Sequence, residues 1–130
     1  MGDITYENLP AQLVEAVPEL GPQYETELKW WGAEDPGAHN IFGDVLNPYL
    51  RSLLQSGNQE ELLRRIFAFL ERMANHEDIR VQEVVAVTVC EDLGSNIELL
   101  RQARRYMGPT TRRFSHEIQA YWKREDQEES

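Results

Sequence analysis

Cysteine is almost absent from this chain: of 130 residues only Cys90 carries a thiol, which excludes an internal disulfide framework and fits a reducing compartment. Long hydrophobic runs are missing too. No apolar stretch approaches the ~20 residues that a membrane span needs. The N-terminal residues Met1 to Thr5 show no basic segment followed by an apolar core, so the expectation is a protein without a signal peptide, working in the cytoplasm. Tyr6 stands where the N-terminal lipidation pattern requires Ser or Thr. Histidine is scarce, and His39, His76 and His116 lie in different segments with none of the spacings that bind a metal. Glycine-rich phosphate loops, dinucleotide fingerprints and the nucleophile-elbow pattern are all lacking. The expectation is a non-enzyme with no cofactor and no metal.

Positive charge is the other scarcity, and it is unevenly distributed. The net charge is -10. Residues 1–60 hold ten acidic and two basic side chains, whereas residues 96–123 hold two acidic and six basic ones. A field of this sign repels a phosphate backbone and attracts basic proteins. The partner expected on these grounds is a basic protein, not nucleic acid and not a membrane.

What is present is helical periodicity. The chain length suits one domain with a real core. Leu62, Leu63, Ile66, Phe69, Leu70 and Met73 recur at helical spacing, and Asp78 is placed to cap a following helix from Ile79 to Leu93. In that following segment Val81, Val84, Val85, Val87 and Val89 would also suit a strand. No second strand is available to pair with it, so its backbone groups demand a helix, apolar nearly all round and therefore central. Glu83 and Glu91 mark its narrow outer edge. Before this pair, helices are expected from Asn8-Leu9-Pro10 to Val17, from Gln23 to Trp31 (with Tyr24, Leu28 and Trp31 inward), and from Ile41 to Gln55 with a break near Leu46-Asn47 ahead of Pro48. After it, Asn96 or Ser95 caps a helix to Tyr106. Thr110 or Thr111 caps a last helix carrying Phe114, Ile118, Tyr121 and Trp122. The fold class is all-α: one domain over residues 1–123, six or seven helices, HEAT-like or irregularly orthogonal, followed by a disordered acidic tail over residues 124–130.

Candidate chemistry is limited. Cys90 lies in the valine-rich helix and reads as a small buried hydrophobe. The carboxylate pairs Glu60-Glu61, Glu77-Asp78 and Glu91-Asp92 are what chance produces in so acidic a chain, and several have plain duties at helix N-termini. Arg101, Arg104, Arg105, Arg112 and Arg113 form the one basic patch, expected to answer the acidic first half of the molecule or, alternatively, to bind an anionic ligand. The stretch from Trp30 to Asp44 combines aromatics, acids and glycines in a long connection. Trp30, Trp31, Glu34, Asp35, Phe42 and Asp44 are therefore the candidate partner-binding residues. Two readings stand: an interface, or one core tryptophan followed by a mobile turn.

Two resemblances follow from these residues. The pair Glu60–Ala74 and 78–93, with Val81, Val85, Val89 and Leu93 at four-residue steps, resembles one HEAT-type repeat. Pro18-Glu19-Leu20 followed by Tyr24, Phe42-Gly43-Asp44, and the helical pair from Glu61 to Leu93 are similar to a family of small uncharacterised bacterial helical proteins, over most of residues 10–122. That resemblance implies an all-helical fold and an immunity protein that neutralises a basic toxin domain by direct binding. It implies no catalytic residues. Trp30-Trp31 has no counterpart in the family's pattern.

Overall fold

The structure is a computed structural model that describes residues 3–129, with side chains described to Lys123. Among the described residues it is helical throughout and contains no strand. Helix α1 spans Leu9–Ala16 and, after a 3-10 turn at Pro18–Leu20, α2 spans Gly21–Trp31. A five-residue link leads to α3 over residues 37–56, in which a π-helical segment, Phe42–Leu46, joins Gly37–Ile41 to Asn47–Ser56. Helix α4 is Glu60–Ala74. Helix α5, residues 79–94, contains a second π-helical segment at Val84–Cys90. Helix α6 is Ile97–Arg104, and α7 runs Pro109–Glu129. The expected disordered tail falls on residues 124–130, whose side chains lie outside those described; the backbone through Glu129 is helical.

The valine-rich segment is a helix because it is enclosed. Val81, Val84, Val85, Val89, Cys90 and Leu93 are all buried, and α5 is contacted by α3, α4, α6 and α7. Glu83 is exposed and Val87 is 47% exposed, which confines solvent to one narrow strip. Its N-terminus is capped as the sequence predicts, Asp78 Oδ1 accepting from the Arg80 N–H at 2.9 Å. Helix α4 buries all six expected residues and Phe67 and Ala74 as well. In α6, Asn96 Oδ1 accepts from the N–H groups of Glu98 and Leu99. Among the described residues the seven helices form an irregular array around α5, with α4 and α5 packed together within it.

Several local expectations are corrected. Asn8 does not cap α1; it trades hydrogen bonds with Thr5, the Thr5 N–H donating to Asn8 Oδ1 at 2.8 Å. Leu28 is 37% exposed, because α2 lies on the periphery and buries no residue fully. The interruption expected at Leu46-Asn47 is a π-helical widening one turn earlier. Pro48 supplies no N–H to the Asp44 carbonyl, and the wider turn accommodates the loss without ending the helix.

The largest correction is at the start of α7. Neither Thr110 nor Thr111 caps it; Glu71, from α4, does. The Glu71 carboxylate accepts from the Thr110 N–H at 3.0 Å, the Thr111 N–H at 2.8 Å, the Thr111 hydroxyl at 2.8 Å and Asn75 Nδ2 at 3.1 Å. Two orphan amides and the positive end of a long helix thus meet one partly buried charge. Gly108 makes room for it, since a Cβ there would sit 2.7 Å from Glu71 Cγ and Oε1. Burial pushes the Glu71 carboxyl up, but the hydrogen bonds from Thr111, Thr110 and Asn75 outweigh it and leave the group below its ordinary value.

A group lowered in this way contributes stability above the ordinary carboxyl range and loses it as pH falls through its folded value. Glu71→Ala should therefore cost about 1–3 kcal/mol at neutral pH. The difference from wild type should shrink in acid, as followed by urea unfolding at pH 7 and pH 3. A constant difference across that range would show that the carboxylate is not what secures α7.

Candidate functional site

The Trp30–Asp44 stretch is shorter as a loop than the sequence suggests. Helix α2 ends where Gly32 takes the left-handed backbone, φ 67°, and α3 begins at Gly37, whose N–H is accepted by Asp35 Oδ1 at 3.0 Å. Trp30 is 77% exposed, and Glu34, Asp35 and Asp44 are exposed with it. Trp31 is half-buried and packs edge-to-face on Trp30, ring centroids 5.3 Å apart. Phe42, by contrast, is fully buried within the π-helical segment, and it leaves the candidate set because it presents no surface to a partner.

Beside the tryptophans two carboxyl groups, those of Glu27 and Asp44, line the same small cavity. Trp31 Nε1 donates to Glu27 Oε2 at 2.9 Å, and Glu27 in turn hydrogen-bonds Asp44. A hydrogen bond with Asp44, which needs one of the two carboxyls to keep its proton, pushes Glu27 above its ordinary value; the Trp31 hydrogen bond works against this, while desolvation and the Asp44 charge add to it.

Asp44 is shared with a cleft of about 560 Å³ between α3, α5 and the C-terminal half of α7. Its walls include Asn47, Glu91, Asp92, Gln119 and Trp122. The two π-helical segments face each other here, Gly43 lying 3.7 Å from Thr88 Cγ2 when given a Cβ. Asn47 Nδ2 donates to the Thr88 carbonyl at 3.1 Å and His39 Nδ1 meets the Thr88 hydroxyl at 2.7 Å, so the one polar side of α5 is tied to α3. Because a carbonyl only accepts, the Asn47 amide orientation is determined, and its Oδ1 is the atom left over. Asn47 is 5% exposed, yet no protein donor reaches Oδ1 among the described residues. Asp92 has the same deficit: Arg51 holds Oδ1 at 2.9 Å while Oδ2 is buried and unpaired by protein. An unpaired buried acceptor costs about 1–3 kcal/mol, and two of them, on residues that line one cleft, add to the negative potential of its walls.

A larger opening of about 1150 Å³ lies beside the N-terminal segment and the end of α4. There the polar groups answer one another: His76 Nε2 bonds the Ile4 carbonyl at 2.8 Å, and Arg80 pairs with Asp78 and Glu7. The basic patch is engaged locally as well. Arg101 pairs with Glu98, Arg104 Nε donates to Ser115, Arg112 donates to the carbonyls of Arg104 and Met107, and Arg113 pairs with Glu117. Those partners come from residues 98–117, not from the acidic first half as expected; Arg51, Arg65 and Arg80 make the long-range pairs instead. Arg105 is exposed, its closest hydrogen-bond partner being Gln102 at 3.5 Å.

Sequence reasoning missed Asn47, Glu91, Asp92, Gln119 and Trp122 as site residues. The signals were a polar residue directly before a helix-interior proline, an acid pair closing a valine run, and a tryptophan two turns beyond Phe114, the last buried apolar residue. Comparison with known proteins adds one match, a family model covering residues 10–123. The chain belongs to DUF7674, a domain of unknown function. No curated protein and no solved structure matches it. The DUF7674 match spans α1 to α7 as far as the side chains are described, so both the tryptophan edge and the cleft lie inside the family's domain. Among the described residues, no helix is long and apolar enough to cross a membrane and no group of three or more His, Cys, Asp or Glu is placed to hold a metal ion.

Cys90 is 1% exposed, with Sγ 3.9 Å from the Thr111 carbonyl, and burial pushes its thiol up to about 12. It should label slowly with thiol reagents in the native protein and rapidly in denaturant, measured as labelling half-times. The Glu27–Asp44 contact predicts the opposite pH trend from Glu71. Its raised carboxyl contributes stability at low pH that is lost as pH rises through the folded value. Asp44→Asn should remove that loss, so the variant's melting temperature, relative to wild type, should be higher at pH 7 than at pH 4.

Proposed function

We propose that this domain is an acidic binding protein of the cytoplasm that engages a basic protein by direct contact and performs no chemistry of its own. In its sharpest form it is an immunity protein that covers a basic toxin domain. The observation that carries this reading is the pair of neighbouring carboxyl groups, Glu27 and Asp44, on one small cavity beside an exposed tryptophan. Like charges held together are relieved when a cation arrives, and an aromatic edge beside them supplies the apolar contact that anchors such an encounter. Glu34 and Asp35 extend the same negative surface. A nuclease face built to hold phosphate would be matched by carboxylates in this arrangement, with faster encounter as a result. The thiol of Cys90, un-ionised at neutral pH, supports a binding role over a catalytic one.

The test is capture of the partner from the native host, followed by binding kinetics against salt. Association should slow markedly as salt rises, because exposed charges are screened beyond about 8 Å at physiological ionic strength. Glu34→Lys and Asp35→Lys should slow association further, while Trp30→Ala should speed dissociation by roughly tenfold at unchanged melting temperature. A partner that binds without salt dependence and ignores all three substitutions would sink the proposal.

A further inference from the structure

We infer that the cleft between α3, α5 and α7 receives the guanidinium group of an arginine side chain, an inference that rests on the reading of this domain as a binder of a basic protein. The chemistry of the lining selects the ligand. Asn47 and Asp92, from two different helices, each carry a buried oxygen that no protein donor among the described residues reaches. Asp44 and Glu91 add two further carboxylates on the same walls, and among the described residues no lysine or arginine lines the cleft itself. Arg51 compensates one of the three acids through Asp92 Oδ1, so the lining remains net negative. An anion is repelled there, and an apolar group would strip water from the Asp44 and Glu91 carboxylates without replacing its hydrogen bonds, while the two buried oxygens behind them deepen the negative potential.

The choice of guanidinium over ammonium follows from shape. Acceptors on separate helices call for a donor whose N–H groups diverge in a fixed plane, which guanidinium supplies and a compact ammonium does not. Trp122, 41% exposed, and Val87, 47% exposed, form an apolar wall beside those acceptors. An aromatic face next to carboxylates suits a flat, weakly hydrated cation that stacks as well as donates. The cleft is continuous with the tryptophan edge through Asp44, so a segment seated on Trp30 would lie close to it.

The probe is N-acetyl-arginine methylamide, titrated into the full chain and followed by the Asn47 side-chain amide and Trp122 indole N–H signals in a nitrogen–proton correlation spectrum. Saturable shifts of both signals are expected. Glu91→Gln and Trp122→Ala, each first shown to melt as wild type does, should weaken the probe by about threefold or more. Absence of saturation overturns the inference, as does equal or tighter binding of N-acetyl-lysine methylamide, putrescine or N-acetyl-alanine methylamide. Failure of the probe leaves the salt-dependent partner binding read at Trp30 standing. Saturation by the probe, with partner binding indifferent to salt and to Trp30, would sink the wider reading and not the site.

Discussion

A helix that is apolar on nearly every side must be surrounded, and the rest of this fold is the means of surrounding α5. Four helices share its valine and leucine surface, and none of them could bury its own stripe without it. The exception on that surface is Thr88, and the exception decides where the site lies. Its hydroxyl and carbonyl need partners inside a packed interface, and α3 provides them through His39 and Asn47. Both helices widen into π-helical turns where they meet, an irregularity that tends to gather at functional positions. Satisfying Thr88 with one end of the Asn47 amide leaves the other end facing a shortage of donors. The cleft is thus a by-product of how the central helix is enclosed.

Charge is managed by a few arginines placed at long range. Arg65 holds Glu19 through two hydrogen bonds at 2.8 and 3.1 Å, Arg51 holds Asp92, and Arg80 bridges Asp78 and Glu7. These pairs are largely exposed, so they hold segments in register more than they add stability. In the cleft only Asp92 is served in this way, and Glu91 and the acids around Trp30 have no such arginine among the described residues. Their continuity runs through Asp44, which neighbours Glu27 on one side and lines the cleft on the other. Two features that look separate along the chain, the tryptophan loop and the Glu91-Asp92 pair, belong to one acidic surface.

Helix existence was legible because periodicity and caps agree: Leu62 to Met73, Asp78 and Asn96 behave as their spacing predicts. The strand alternative for Val85 to Val89 could be rejected because no partner strand existed. What escaped was everything that depends on a distant residue. Glu71 reads as an ordinary surface acid on an amphipathic helix until α7 is seen to begin beside it. Phe42 reads as a loop aromatic until α3 is known to start at Gly37. Asn47 carries no local signal beyond Pro48, since its importance comes from Thr88, 41 residues away.

The N-terminal segment and the start of α7 are both fastened at the C-terminal end of α4. The N-terminal segment is held at the Ile4 carbonyl by His76, whose Nδ1 accepts from the Asp78 N–H, so that Nε2 carries the proton it donates. Helix α7 is held at Thr110 and Thr111 by Glu71 and Asn75. Loosening Glu71, Asn75 or His76 therefore frees the N-terminal segment and the start of α7 together. Beyond its first turn α7 is held by α5 instead, Gln119 Nε2 donating to the Gly94 carbonyl at 3.1 Å, so a load drawn through α7 falls on the central helix as well as on the clasp at the end of α4.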